Sequence, residues 1–185
     1  MAVRPSMAYI IQMVRDLISD PAGDTEHFTD QQIQDKLDMA RLDVYNEFLK
    51  PVATYTETNL AEWHDFWSIH DMWETDYVLQ LANGPFTTAD VAEPLIGKFH
   101  WDERQLIGIR ISGRCYNVYR ISAVLLTAWI SDLRSQITSW TADGTTVQRA
   151  GQIKNMNDLA LQYYALAWGW GNSSQTKLVR KDLKH

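Results

Sequence analysis

The sequence predicts a mainly α fold: a small bundle of about four helices, a β-rich insertion between helices two and three, and an extended C-terminal tail. Two long amphipathic patterns meeting at a short Asp-Gly break predict the bundle. In the first, Ile121, Val124, Leu125, Ala128, Leu133, Ile137 and Trp140 recur at helical steps; in the second, Met156, Leu159, Tyr163, Leu166 and Trp170 do the same. Asn117 is placed to cap the first arm. Asp143-Gly144 reads as a glycine stop, and Thr145-Thr-Val-Gln148 as a capping box opening the second arm, so the two form an antiparallel pair. The third observation is a change of period between Leu49 and Tyr116, where β-rich runs replace the helical step.

Upstream, Ile10, Met13, Val14, Leu17 and Ile18 predict a first helix over residues 6–19, stopped by Asp20-Pro-Ala-Gly23. Thr29-Asp-Gln-Gln32 has capping-box spacing, and Phe28 is placed to staple onto Ile33. The stripe Ile33, Leu37, Ala40, Val44 and Phe48 predicts one continuous second helix, ended by Lys50-Pro51. Three or four short strands are expected in the insertion, one over Thr75 to Leu81 and one over Gln105 to Ser112. Ser112-Gly113-Arg114 is read as turning the latter into a hairpin with Cys115-Tyr-Asn-Val118. Residues 1–171 are thus expected to form one domain, with 49–116 as its Trp-rich insertion and 172–185 as a separate basic tail.

At 185 residues the chain can bury a core without disulfides or metals, and 45% apolar with 22% charged residues is a globular composition. No apolar run approaches the ~20 residues of a membrane span, and the N-terminal residues lack a signal-peptide pattern. Cys115 is the single cysteine, which excludes an internal disulfide and fits a reducing compartment. Charge is unevenly spread. The last fourteen residues carry about +3 and the rest about −9, and an acidic body argues against wrapping nucleic acid.

Glu62-Trp-His-Asp-Phe-Trp-Ser-Ile-His-Asp-Met-Trp-Glu74 gathers histidines, acids and tryptophans. His64 and His70 lie six apart, unlike the i, i+4 pair of a helical zinc site, so no metal and no cofactor are expected. Trp63, Phe66, Trp67 and Trp73 are read as core or subunit-contact residues, and Trp168 and Trp170 as a packed helix end or an exposed aromatic contact. His27 and His100 read as isolated surface residues. Ser112, Ser122 and Cys115 stand in no nucleophile motif, and no glycine loop suits a phosphate, so catalysis is not expected.

The order of several punctuating motifs goes further than any one of them. Arg15-Asp-Leu-Ile-Ser-Asp20, Phe28-Thr-Asp-Gln-Gln-Ile33 and Leu37-Asp-Met-Ala-Arg41 resemble the opening of tailed-bacteriophage head-tail connector (adaptor) proteins. Tyr116-Asn-Val118, Ala123-Val-Leu-Leu126, Asp143-Gly144, Val147-Gln-Arg149 and Leu159-Ala-Leu-Gln-Tyr163 resemble their second helical pair. The resemblance spans most of the chain outside the Trp-rich insertion. It implies a non-enzymatic virion protein whose copies, typically twelve, form a ring beneath the portal at the capsid vertex, with DNA passing through the centre without specific binding. It also implies a portal-docking tail, here Lys177, Leu178, Val179, Arg180, Lys181 and Leu183, and a stopper or tail-completion protein downstream. The contrasting expectation is a DNA-binding or packaging accessory protein using the same helices and the basic tail.

Overall fold

The computed structural model describes residues 3–55, 61–82, 84–105, 108–137 and 145–168. It is 43% helical and 28% strand, with two antiparallel four-stranded sheets, so the fold is mixed α/β and the mainly α expectation is overturned. After a 3₁₀ turn (Pro5–Met7) come α1 (Ala8–Ile18) and α2 (Asp30–Met39). The strands follow: β1 (Arg41–Phe48), β2 (Lys50–Tyr55), β3 (Ala61–Trp67), β4 (Val78–Leu81), β5 (Phe86–Thr87), β6 (Val91–Glu93), β7 (Lys98–His100) and β8 (Ile109–Tyr116). Helices α3 (Val118–Ile137) and α4 (Thr145–Trp168) end the described chain.

The first helix forms as expected but ends earlier. Ser19, in the left-handed region at φ 56°, caps it through its N–H to the carbonyls of Arg15 and Asp16, so Gly23 is not the stop. The capping box at the start of α2 is present in both directions: the Gln32 N–H donates to Thr29 Oγ1 at 3.3 Å and the Thr29 N–H to Gln32 Oε1 at 2.8 Å. Phe28 and Ile33 are buried in the same cluster.

The continuous second helix is wrong. It stops at Met39, and Arg41–Phe48 is a strand paired with β8. The misleading residues are Ala40, Val44 and Phe48: a step of four sits near the helical period and is also a multiple of two, so it fits a strand equally well. A bulge between Val44 and Glu47, with Asn46 at φ 53°, then splits the stripe, leaving Val44 buried and Phe48 52% exposed. Lys50-Pro51 does not end a helix but begins β2, an outer strand, where proline's missing donor is tolerated.

The sheets run β1-β8-β4-β5 and β2-β3-β7-β6. Between β1 and β2 the chain passes from one sheet to the other at buried Leu49, whose N–H donates to the Ile109 carbonyl at 2.9 Å. Inner residues of both sheets, Val44, Leu79, Ile109 and Ile111 of the first and Phe66 and Phe99 of the second, share one core with Trp73 and Trp101.

The hairpin expected at Ser112-Gly113-Arg114 is absent, because β8 runs unbroken through it. Gly113 lies opposite Val44, and a Cβ there would meet Tyr77 Cα and Cβ at 3.0 Å, so it serves close approach of the 73–77 segment rather than a turn. Gly97, by contrast, does turn the chain between β6 and β7, at φ 69° and against the His70 carbonyl.

β8 leads straight into α3 through Asn117, whose Oδ1 accepts from the Arg120 N–H at 2.9 Å, the cap read from the sequence. The other end of the same amide donates to the Ala167 carbonyl at 3.1 Å, joining the start of α3 to the end of α4, so the pair is antiparallel. Tyr163 donates to the Leu17 carbonyl at 2.9 Å, seating α4 on α1. The helical core gathers Ile10, Val14, Ile33, Leu37, Ile121, Leu125 and Ala160. Ala128 and Leu166, both assigned to the buried stripes, are exposed instead. The Asp143-Gly144 link, Trp140 and the side chains of residues 145–149 lie outside the described residues.

Candidate functional site

Glu74 is fully buried at the seam between helices and sheets. Its carboxylate accepts from Ser6 Oγ at 2.5 Å, the Tyr116 hydroxyl at 2.6 Å and Arg4 Nε at 3.0 Å, and pairs with Arg114 Nε at 3.0 Å. Arg4 also grips Asp38 of α2 at 2.6 Å, and Arg114 pairs with Asp76. Burial pushes the Glu74 carboxyl up, but the bonds from Ser6, Tyr116 and Arg4 and the Arg114 charge outweigh it and hold it below the usual range. All its lone pairs are engaged by the protein itself, so this is an anchor for the 3₁₀ turn, β8 and the 72–76 segment rather than a reactive acid.

Beside that anchor lies a groove of about 450 Å³, bounded by the 3₁₀ turn and α1 on one side and the turn from β6 to β7 on the other. Ser6, Ile10, Trp73 and Leu95 line it together with Tyr9 and Ile96, which are 66% and 48% exposed. Glu93, also in the lining, is half exposed and 3.9 Å from Lys98 Nζ. The groove is apolar with one carboxylate, a lining suited to an apolar side chain accompanied by a cation.

A second surface is the outer face of the first sheet. Register places Phe48, Arg110, Gln80 and Phe86 in one row across all four strands, with Ser112 and Val78 in the next. Phe86 is 74% exposed, and the Arg110 guanidinium lies over the Phe48 ring at 4.5 Å. The buried Nε of Arg110 has no hydrogen-bond acceptor among the described residues.

The expected contact residues are dispersed. Phe66 and Trp73 are buried in the sheet core; Trp67 is half-buried and Trp63 exposed. The register sets Asp65 and Trp67 on the outward side of β3, opposite to Phe66, while a bulge at His64 breaks the alternation before Trp63. The side chain of Trp168, Trp170, and the tail residues Lys177, Leu178, Val179, Arg180, Lys181 and Leu183 lie outside the described residues.

The histidines are less solitary than their sequence neighbours suggest. His100 shares a hydrogen bond with Asp65 at 3.0 Å and stacks near His64, with ring centroids 6.2 Å apart. His64 bonds the Trp101 carbonyl at 3.0 Å, which with Glu62 raises its imidazole above the ordinary value despite some desolvation. His27 is stacked on Trp129 at 4.6 Å. His70 sits 3.2 Å from Glu47, whose carboxyl burial would raise but His70, Ser68 and the Ile69 N–H lower. Strand pairing across thirty-odd positions makes the His64 and His100 contact, and no local spacing reports it. Among the described residues no group of three or more His, Cys, Asp or Glu side chains is arranged to hold a metal.

Cys115 is buried, and desolvation aided by Glu47, Asp71 and Asp43 pushes its thiol up to about 12, the opposite of an activated nucleophile. No helix among the described residues is long and apolar enough to cross a membrane. No protein-family model, curated protein or solved structure matches the chain.

Proposed function

We propose that the chain is a non-enzymatic structural virion protein, a head-tail connector (adaptor) that forms a ring beneath the portal and continues the DNA channel from capsid to tail. The observation that carries the reading is a pair of unlike apolar surfaces on different elements: the groove beside α1 and the outer face of the first sheet. A ring grows by heterologous contacts and needs two such unlike faces on every copy. The connector-like motif residues have structural work that suits a rigid spacer. Arg15, only 1% exposed, binds Asp30 at 2.7 Å, Glu26 at 2.9 Å and the Phe28 carbonyl at 2.8 Å, while Asp20 accepts from the N–H groups of His27 and Phe28. The acidic body gives passing DNA no adhesive surface.

The basic tail supplies the portal contact in this reading, Leu178, Val179 and Leu183 by burial and Lys177, Arg180 and Lys181 by orientation. Deleting residues 172–185 should abolish attachment to DNA-filled heads while leaving the melting transition of the remainder in place; undiminished attachment rejects the role. The same tail motivates a second reading, a DNA-binding or packaging accessory. Salt-titrated binding to duplex DNA separates the two, since the connector reading expects only weak, tail-dependent affinity.

A further inference from the structure

The two apolar surfaces are complementary in charge. On the first sheet, one row holds two exposed phenyl rings, Phe48 and Phe86, and between them a guanidinium that lies over Phe48 and whose Nε has no acceptor among the described residues. In the groove, aromatic and aliphatic side chains share the lining with one carboxylate, Glu93, whose ion pair among the described residues is a long 3.9 Å contact to Lys98. Each surface has what the other lacks. An aromatic anchor entering a pocket, accompanied by a charge pair at the rim, is the usual make-up of a binding hot spot.

We propose that the sheet face of one copy seats in the groove of the next, with Phe86 entering between Tyr9 and Ile96 and Arg110 meeting Glu93. The occupant of the groove is therefore a second copy of this chain. Because face and groove lie on different elements, the contact is head-to-tail and leaves a pair with one face and one groove unfilled, one on each copy, the arrangement that propagates until a ring closes. Burying the Arg110 charge against Glu93 also fixes register, since a shifted pairing would strand both groups. The pairing deepens the ring reading and rests on it for its biological setting.

The test is a charge exchange read by sedimentation of the full-length chain across the micromolar to millimolar range. Wild type should self-associate, and R110E or E93R alone should weaken association by about tenfold or more, with R110E/E93R recovering most of the loss. A double variant no better than the poorer single, or a wild type that stays monomeric, overturns the pairing. In a second measurement, F86D spoils the face and I96D the groove, both at exposed positions, so neither should associate alone while an equimolar mixture forms one-to-one dimers. Persistent association of either variant by itself overturns the proposal, and unchanged circular dichroism controls for folding. The connector reading is judged on head attachment and this pairing on self-association, so either can fail without the other.

Discussion

The loop that joins the first two helices closes around a buried guanidinium and the sheet core around indole and phenyl rings, and the two respond to different perturbations for that reason. In the helices, Arg15 collects Asp20, Glu26 and Asp30 within sixteen positions of sequence, so the geometry of the 19–30 loop is set by short-range polar bonds. In the sheets, Phe66 packs edge-on to Trp101 at 5.3 Å and Tyr77 to Phe99 at 5.2 Å, contacts between segments more than twenty residues apart. A core of rings tolerates loss of charge and not loss of volume. A polar junction is the reverse, and Glu74 lies where the two kinds of organisation meet.

The largest effect is expected at Trp73, 1% exposed, which packs in the sheet core and donates from Nε1 to the His70 carbonyl at 2.9 Å. Trp73→Ala should cost about 3–5 kcal/mol in urea unfolding and also open the floor of the groove. Next comes Glu74→Gln, which keeps the volume and removes the charge. A loss of about 2–3 kcal/mol is expected, below a fully buried pair because Arg4 and Arg114 remain 27% and 26% exposed and keep Asp38 and Asp76.

The same variant should also change the response to acid. The folded Glu74 and Glu47 carboxyls titrate below their unfolded values, so their stabilisation is complete above the ordinary glutamate range near pH ~4.3 and is lost as pH falls through the lowered values. Urea midpoints should therefore drop less between neutral and acid pH for Glu74→Gln than for wild type. Equal drops would remove Glu74 from the acid response.

Gly113→Ala is expected to cost about 1–3 kcal/mol, because the added methyl meets Tyr77 backbone that cannot withdraw without moving β8 or the 73–77 segment. The smallest effect is at Thr29. Removing its cap by Thr29→Ala should cost about 1 kcal/mol, confined to the helical region and visible as faster amide exchange at the start of α2. If Thr29→Ala instead disturbed the sheet core, the two regions would not be separately organised.

Features that depend on a handful of neighbouring residues are legible in the amino-acid order alone. The Thr29 and Gln32 box, the Asn117 cap, the first helix and the α3 and α4 pair all follow from hydrogen-bonding groups and apolar periods a few positions apart. The remaining features depend on contacts between distant segments. Arg41–Phe48 carries a period that suits helix and strand alike, and only its pairing with β8, some seventy positions on, selects the strand. Gly113 looks like a turn until Tyr77 and Trp73 are packed against it. The row of Phe48, Arg110, Gln80 and Phe86, and the groove between α1 and the β6–β7 turn, exist only once distant segments are registered. Neither candidate surface is therefore written in any local stretch of the chain, because strand pairing draws its free energy from contacts that sequence proximity does not supply.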